Sequence, residues 1–340
     1  MDETSLSWDG WLNEDGGLPF AAVRFAPRGR RLFAFVIDVV VLVVVGALLG
    51  LLLHEQLVRA GGWGRVIGFA IVVGYFGAAN SSLFGGHTLG KAVTGIRVVG
   101  VDGEPISLPR SLARGAILWI PYFLNEATLG TWAGTPWGGS LFAVLVVGGT
   151  FALVYLFVFN GPSRRSLHDL VVGSMVVVRP SSIEASEYPV ASLHLAVVGL
   201  VVIVSVCAPL VLYQSANAAP LLSVLAAADS VASEAGAHAT HVGMGSVRWS
   251  TMGGVSGAET YLQVQITLRS RKADLDKLGN QIVSAIFATY HQAESRDVIA
   301  VQFRYGFDLG IWSWWWTEPK QFAPTQWRER IVKSLARPSA

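Results

Sequence analysis

One acid stands where ionised groups are expensive. Asp38 is the single charged residue in the apolar run 32–53. A carboxylate in hydrocarbon costs several kcal/mol unless it is paired, hydrated or protonated. Arg31 lies seven residues earlier, two helical turns and roughly 10 Å along the axis, on nearly the same face. Its long stem lets the guanidinium reach the headgroups. An acid so placed suits three tasks: carrying an ion or proton, binding a polar solute, or fixing helix packing through a hydrogen bond. Neutral oxygen ligands are at hand in Asn80 and Ser81, near the end of the second apolar run, 66–84. In an antiparallel helix pair their depth nearly coincides with that of Asp38, so a polar cluster of Asp38 with Asn80 or Ser81 is expected. Asp169 stands beside Arg164 and Arg165 at the exit of a later apolar run. It is expected to pair with Arg31, Lys91 or Arg114, either as a structural ion pair or as a gate of Arg31, Lys91 and Asp169.

Other candidates carry less. The stretch from Gly85 to Ala92, with Gly85, Gly90 and Lys91, approaches a phosphate-binding loop, but Ala92 stands where a Ser or Thr must hold magnesium and an apolar run precedes it. His238 and His241 are three apart without an evident third ligand. No nucleophile with its base is evident, so the expectation is no catalytic residue, no metal, no cofactor and no enzyme. Cys207, the lone cysteine, excludes an internal disulfide framework and lies in an apolar run, where a thiol packs like a small hydrophobe. Trp312, Trp314, Trp315 and Trp316 form an aromatic cluster with three readings: interfacial anchor, ligand platform or hairpin core.

These residues need elements to hold them. Hydrophobic residues make up 52% and charged residues 14% of the 340, against roughly 25% charged in a soluble domain. That leaves too few charges to cover a soluble globule, and the net charge of +2 is too small to argue for nucleic acid. A membrane span takes about 20 apolar residues. Runs 32–53, 66–84, 138–160 and 190–213 meet that requirement; 112–132 is shorter in its apolar part and interrupted by Glu126. Before the last span, counting 112–132 as crossing puts eleven Lys and Arg on the side of the N-terminus and only Arg59 and Arg65 opposite; counting it as not crossing gives eight against five. Positive charge favours the cytoplasmic side. The expectation is therefore about five spans, the N-terminus in the cytoplasm and the residues beyond about 214 outside. Residues 1–31 hold five acids and lead into too long an apolar run for a cleavable signal.

Between the spans, the run 96–101 followed by Asp102-Gly103 and 104–107 reads as a hairpin. A further β-rich run, 171–178, is placed to join it in a small cytoplasmic sheet. Residues 214–340 carry 22 of the 48 charged residues. Within them, 261–268 and 299–305 alternate as strands, 274–291 has helical spacing and 218–235 is Ala-rich and helical. The expected fold class is a polytopic α-helical membrane protein with a small cytoplasmic β element and a C-terminal soluble α+β domain. Its parts are an N-terminal tail 1–23, a membrane domain 24–179, a linker and last span 180–213, and the α+β domain 214–340.

Residues Arg31 to Asp38, then Thr88-Leu-Gly-Lys91 running through Gly95-Ile-Arg-Val-Val to Asp102-Gly103, then Leu167-His-Asp169 followed by Gly173 and Val176-Val-Val, occur in that order. Over about 24–179 the chain resembles the RDD family of bacterial membrane proteins, whose arginine falls on Arg31 and whose aspartates fall on Asp38 and Asp169. The resemblance implies a multi-pass protein of the bacterial inner membrane. The activities suggested for the family are transport of an unidentified ligand and cation or proton exchange. The fifth span and the domain 214–340 lie outside the family core. Two readings stay open. The first is a transporter or ion-coupled permease component with Asp38, Asn80 and Ser81 as its site. The second is a non-transporting envelope protein whose core anchors while the C-terminal domain binds a partner. The expected partners are the lipid bilayer and either a second copy of the chain or an envelope protein, with no nucleic acid.

Overall fold

Residues 24–125, 135–161, 163–179, 190–213, 218–250 and 256–336 are described by a computed structural model. The expected tail 1–23, Glu126 with the end of the fifth apolar segment, and most of the linker before the last span lie outside these residues. The first apolar run forms α1 (Arg28–Leu52). Along it Ala34, Asp38, Leu42, Gly46 and Gly50 are buried, whereas Leu32, Val36, Val40, Val44 and Leu48 are exposed. Both stripes recur every fourth residue, as one face of a helix must. An outward stripe of large aliphatic side chains is stable only with hydrocarbon as its solvent.

The chain continues through α2 (His54–Ala60) and α3 (Trp63–Ala79), which meet at a 111° bend. Then follow α4 (Leu89–Thr94), β1 (Ile96–Gly100), α5 (Leu108–Asn125), α6 (Pro136–Ala143), a π-helical turn Val144–Gly148, α7 (Gly149–Phe159), α8 (Leu167–Val171), β2 (Ser174–Val178) and α9 (Ser192–Tyr213). Arg28–Leu52, Trp137–Phe159 and Ser192–Val211 are long and apolar enough to cross a membrane, and the bent pair α2–α3 makes a fourth if it counts as one span. The fifth expected span, α5, is not among them: Arg110 and Arg114 in its first half lower its hydropathy, and Pro121 interrupts its second.

The described chain packs as two units. One holds the described residues up to Val41, with Ile71–Trp119 and those of Thr150–Gly199; the other holds Leu42–Ala70 and the described residues of Ile120–Gly149 and Leu200–Ala340. In the first unit β1 and β2 pair antiparallel, from Ile96 opposite Val178 to Gly100 opposite Ser174, and Phe25 bridges to Val177. The expected hairpin does not form. Gly103 makes the turn at φ +80° and the Gly100 N–H donates to the Glu104 carbonyl at 2.8 Å, but Pro105 follows and 104–107 leads directly into α5. The partner of β1 is the later β-rich run.

The second unit contains α10 (Ala218–Glu234), β3 (Ala237–Ser250), β4 (Ser256–Leu268), α11 (Leu275–Thr289), β5 (Val298–Asp308), β6 (Ser313–Phe322) and α12 (Pro324–Leu335). The sheet order is β3-β4-β5-β6; β4 and β5 are parallel and the other pairs antiparallel. The parallel pair joined by α11 is the expected strand–helix–strand unit. Leu262, Val264, Ile266, Ile299, Val301 and Phe303 form one core with Val224, Ala228, Ile282, Ile286 and Trp327, and Trp327 Nε1 donates to the Ile299 carbonyl at 2.9 Å. The tryptophan cluster packs at the β5–β6 end. Trp315 and Trp316 lie under Arg304 and Arg271 at 4.1 and 4.6 Å, and the Trp314 ring meets His54 at 5.0 Å. Arg65, at the start of α3, donates to the Tyr122 and Phe123 carbonyls of α5 and to Asp308 of β5. Gly68 allows α3 to approach the backbone after β5, where a Cβ would strike the Leu309 carbonyl oxygen.

Candidate functional site

Asp38 is 1% exposed, and three donors hold it. Tyr75 of α3 donates its hydroxyl to Oδ1 at 2.7 Å, the Gly90 N–H donates to the same oxygen at 2.9 Å, and the Thr88 hydroxyl donates to Oδ2 at 2.6 Å. No cation is within ion-pair distance of it among the described residues. Thr88 is also the N-cap of α4, its Oγ1 accepting from the Lys91 N–H. Asp38 therefore clasps the start of α4, where free N–H groups favour a carboxylate. Gly90 is required there, because a Cβ would strike the Ala34 carbonyl oxygen of α1.

The expected cluster of Asp38 with Asn80 or Ser81 is corrected by this geometry. α3 ends at Ala79, and both side chains turn back onto its last carbonyls: Asn80 Nδ2 donates to Phe76 O at 2.8 Å and Ser81 Oγ to Ala78 O at 2.7 Å. The loop 85–90 brings Thr88 and Gly90 to the acid instead. The free Asn80 oxygen takes the Lys91 Nζ at 2.7 Å. Lys91 thus does not bond Asp169 as a gate partner would; it sits on Asn80, 5.7 Å from the Phe76 ring centre.

Asp169 pairs chiefly with Arg114 of α5, whose Nε and Nη2 both donate to Oδ1, at 2.9 and 2.7 Å. The Ser174 hydroxyl donates to the same oxygen at 3.1 Å. Oδ2 takes the Ser166 N–H at 3.4 Å, while Arg31 Nη2 stands 3.5 Å away. Arg31 also donates to the Arg164 carbonyl, and Arg28 Nε donates to the Phe157 carbonyl at the end of α7. Burial alone would raise the Asp169 carboxyl; Arg114 and Arg31 outweigh it and hold it below the ordinary carboxylate range. Burial pushes the Lys91 ammonium down to about 7, with Arg114 acting the same way. Burial pushes the His168 imidazole down to about 3, so that ring is neutral.

Arg31, Asp38, Lys91, Arg114, His168 and Asp169 line one cavity of about 270 Å³, whose remaining wall is mostly apolar and includes Phe35, Phe76, Leu118, Leu153 and Val154. That volume approaches the lower end of small-molecule sites, roughly 300 Å³. Among the described residues, two buried nitrogens on its walls have no hydrogen-bond partner, Arg31 Nε and His168 Nδ1. Among the described residues there is no group of three or more His, Cys, Asp or Glu that could hold a metal. The chemistry available is recognition of a small polar group inside an apolar wall.

Tyr75, Thr88 and Gly90 were not singled out as site residues from the sequence. The only signal for Tyr75 was a hydroxyl in an apolar run; Thr88 and Gly90 belong to the Thr-Leu-Gly-Lys motif. Residues 25–173 match the family model described as the RDD family, which covers the whole cavity wall except Val176 and leaves the four-stranded sheet outside. No curated protein and no solved structure matches the chain.

Proposed function

Taking residues 25–173 as an RDD-family membrane region, we propose that the protein is a permease-type membrane component whose core binds a small polar solute in the charged cavity. The observation that carries this reading is the convergence of Arg31, Asp38, Lys91, Arg114 and Asp169 on one 270 Å³ space. Ionisable groups gathered beside apolar helices are costly and tend to mark a solute or ion path. In this reading Asp38 positions the loop that supplies Lys91, and Arg114 with Asp169 fixes α5 against α8.

The protein spans the inner membrane of a bacterium five times, with its N-terminus in the cytoplasm. α5 is the span that composition disfavours, and its contacts support it: Leu112 meets Gly77 near the end of α3, while Phe123 meets Phe69 nearer the start of α3. α5 thus follows α3 through the same thickness. The Lys and Arg distribution then places the sheet domain outside. Solid-supported-membrane recording on proteoliposomes of the full chain tests the permease reading. Jumps of sodium, potassium, phosphate or butyrate should displace charge, and Leu118→Trp, which fills the cavity, should abolish the signal. Silence towards all four solutes, or an unchanged signal in the variant, rejects it.

One observation favours a second reading. The sheet domain builds its own core from α10, β4, α11, β5 and α12, as a separate partner-binding module would. Crosslinking in intact membranes that captures a single envelope protein on residues 218–336, together with silent proteoliposomes, would favour that reading.

A further inference from the structure

The cavity's charges do not balance. Three cationic side chains, Arg31, Lys91 and Arg114, face two carboxylates. Asp38 is committed to the neutral donors of Tyr75, Thr88 and Gly90. Asp169 gives one oxygen to Arg114 and holds Arg31 only at 3.5 Å. The Lys91 ammonium has three donors and, among the described residues, a single neutral hydrogen-bond partner, Asn80. Lys91 is 9% exposed and the Arg31 side chain 8%, so neither discharges into bulk water. Among the described residues, Arg31 Nε is buried without a partner. Buried cationic donors left in that condition are costly, and an acceptor-only anion satisfies charge and donors together.

We infer that the cavity is a binding site for an oxyanion group, a carboxylate or phosphate on a small molecule, held by Lys91 and Arg31 with its apolar part against Leu118 and Val154. This deepens the reading of the cavity as a solute site and rests on it. The anion is either a free solute or a lipid headgroup. Leu32 and Val154 line the cavity and are each 57% exposed on their helices, so the wall also reaches the surface that faces acyl chains.

Equilibrium binding to the full chain in dodecyl maltoside, which contains no phosphate or carboxylate, tests the inference with inorganic phosphate, butyrate and dihexanoyl-phosphatidylglycerol as probes. At least one should bind saturably at one per chain. Lys91→Met should weaken it at least tenfold, and Leu118→Trp, which alters no charge, should abolish it. Tight binding of the phosphatidylglycerol with weak phosphate and butyrate assigns the site to a headgroup; the reverse assigns it to a free solute. No saturable binding by any probe, or binding that Lys91→Met leaves unchanged, overturns the site. Binding without charge displacement in proteoliposomes refutes transport and leaves the anion site standing. Cation-driven displacement without anion binding does the opposite.

Discussion

Replacing Asp38 separates its role as a clasp from that of an ion carrier. In Asp38→Ala, Tyr75, Thr88 and Gly90 all lose their acceptor. Tyr75 is only half-buried, so its loss is counted as small. Thr88 and Gly90 are buried, and each stranded donor costs about 1–3 kcal/mol. A total near 3 kcal/mol corresponds to about a hundredfold in an opening equilibrium. Hydrogen exchange on peptides covering 85–95 should therefore quicken about a hundredfold, with little change in α9 or the four-stranded sheet. Asp38→Asn keeps one oxygen for Tyr75 and Gly90, and the Thr88 hydroxyl can turn to accept from the new amide. It forfeits only the charge-assisted part, about 1 kcal/mol, or roughly fivefold. A clasp thus ranks wild type, Asn and Ala in that order. Exchange in Asp38→Ala within twofold of wild type would refute the reasoning, as would Asn matching Ala.

Two further outcomes follow from the same geometry. Asp169→Asn leaves Arg114 buried without a counter-charge and should cost about 3 kcal/mol, read as a fall in the detergent unfolding midpoint; an unchanged midpoint would show that the pair contributes nothing net. Anion affinity should weaken as pH rises through about 7, because Lys91, pushed down to about 7 by burial, loses its proton there. Binding measured at pH 6 and 8 checks this, and an unchanged affinity would remove Lys91 from the site.

The sequence alone determined the membrane character and the main elements. The apolar runs, the strand–helix–strand at 261–305 and the order of the three motifs are local properties, set by composition and by periods of 2 and 3.6 residues. Asp38 was conspicuous because one acid in hydrocarbon contradicts its surroundings. Arg114, Asp169 and Arg31 were legible as charges in need of partners, although the sequence did not rank the partners. β3 and β6 gave weaker signals: β3 carries Gly243 and Gly245, and β6 carries Pro319, which an edge strand tolerates.

Only the tertiary structure decided who meets Asp38. Equal depth along two helices suggested Asn80 and Ser81, but depth says nothing of rotation or of the loop that follows. The 85–90 segment folds back, made possible by Gly85 and Gly86 at φ +67° and +80°, and delivers Thr88 and Gly90 across fifty residues of sequence. Asn80 is freed for Lys91, and an excess of positive charge is left on the cavity wall. A one-dimensional pattern reports which side chains must leave water. It does not report which of several adequate partners each one finds, since that depends on backbone turns whose energies are set by the whole packed unit.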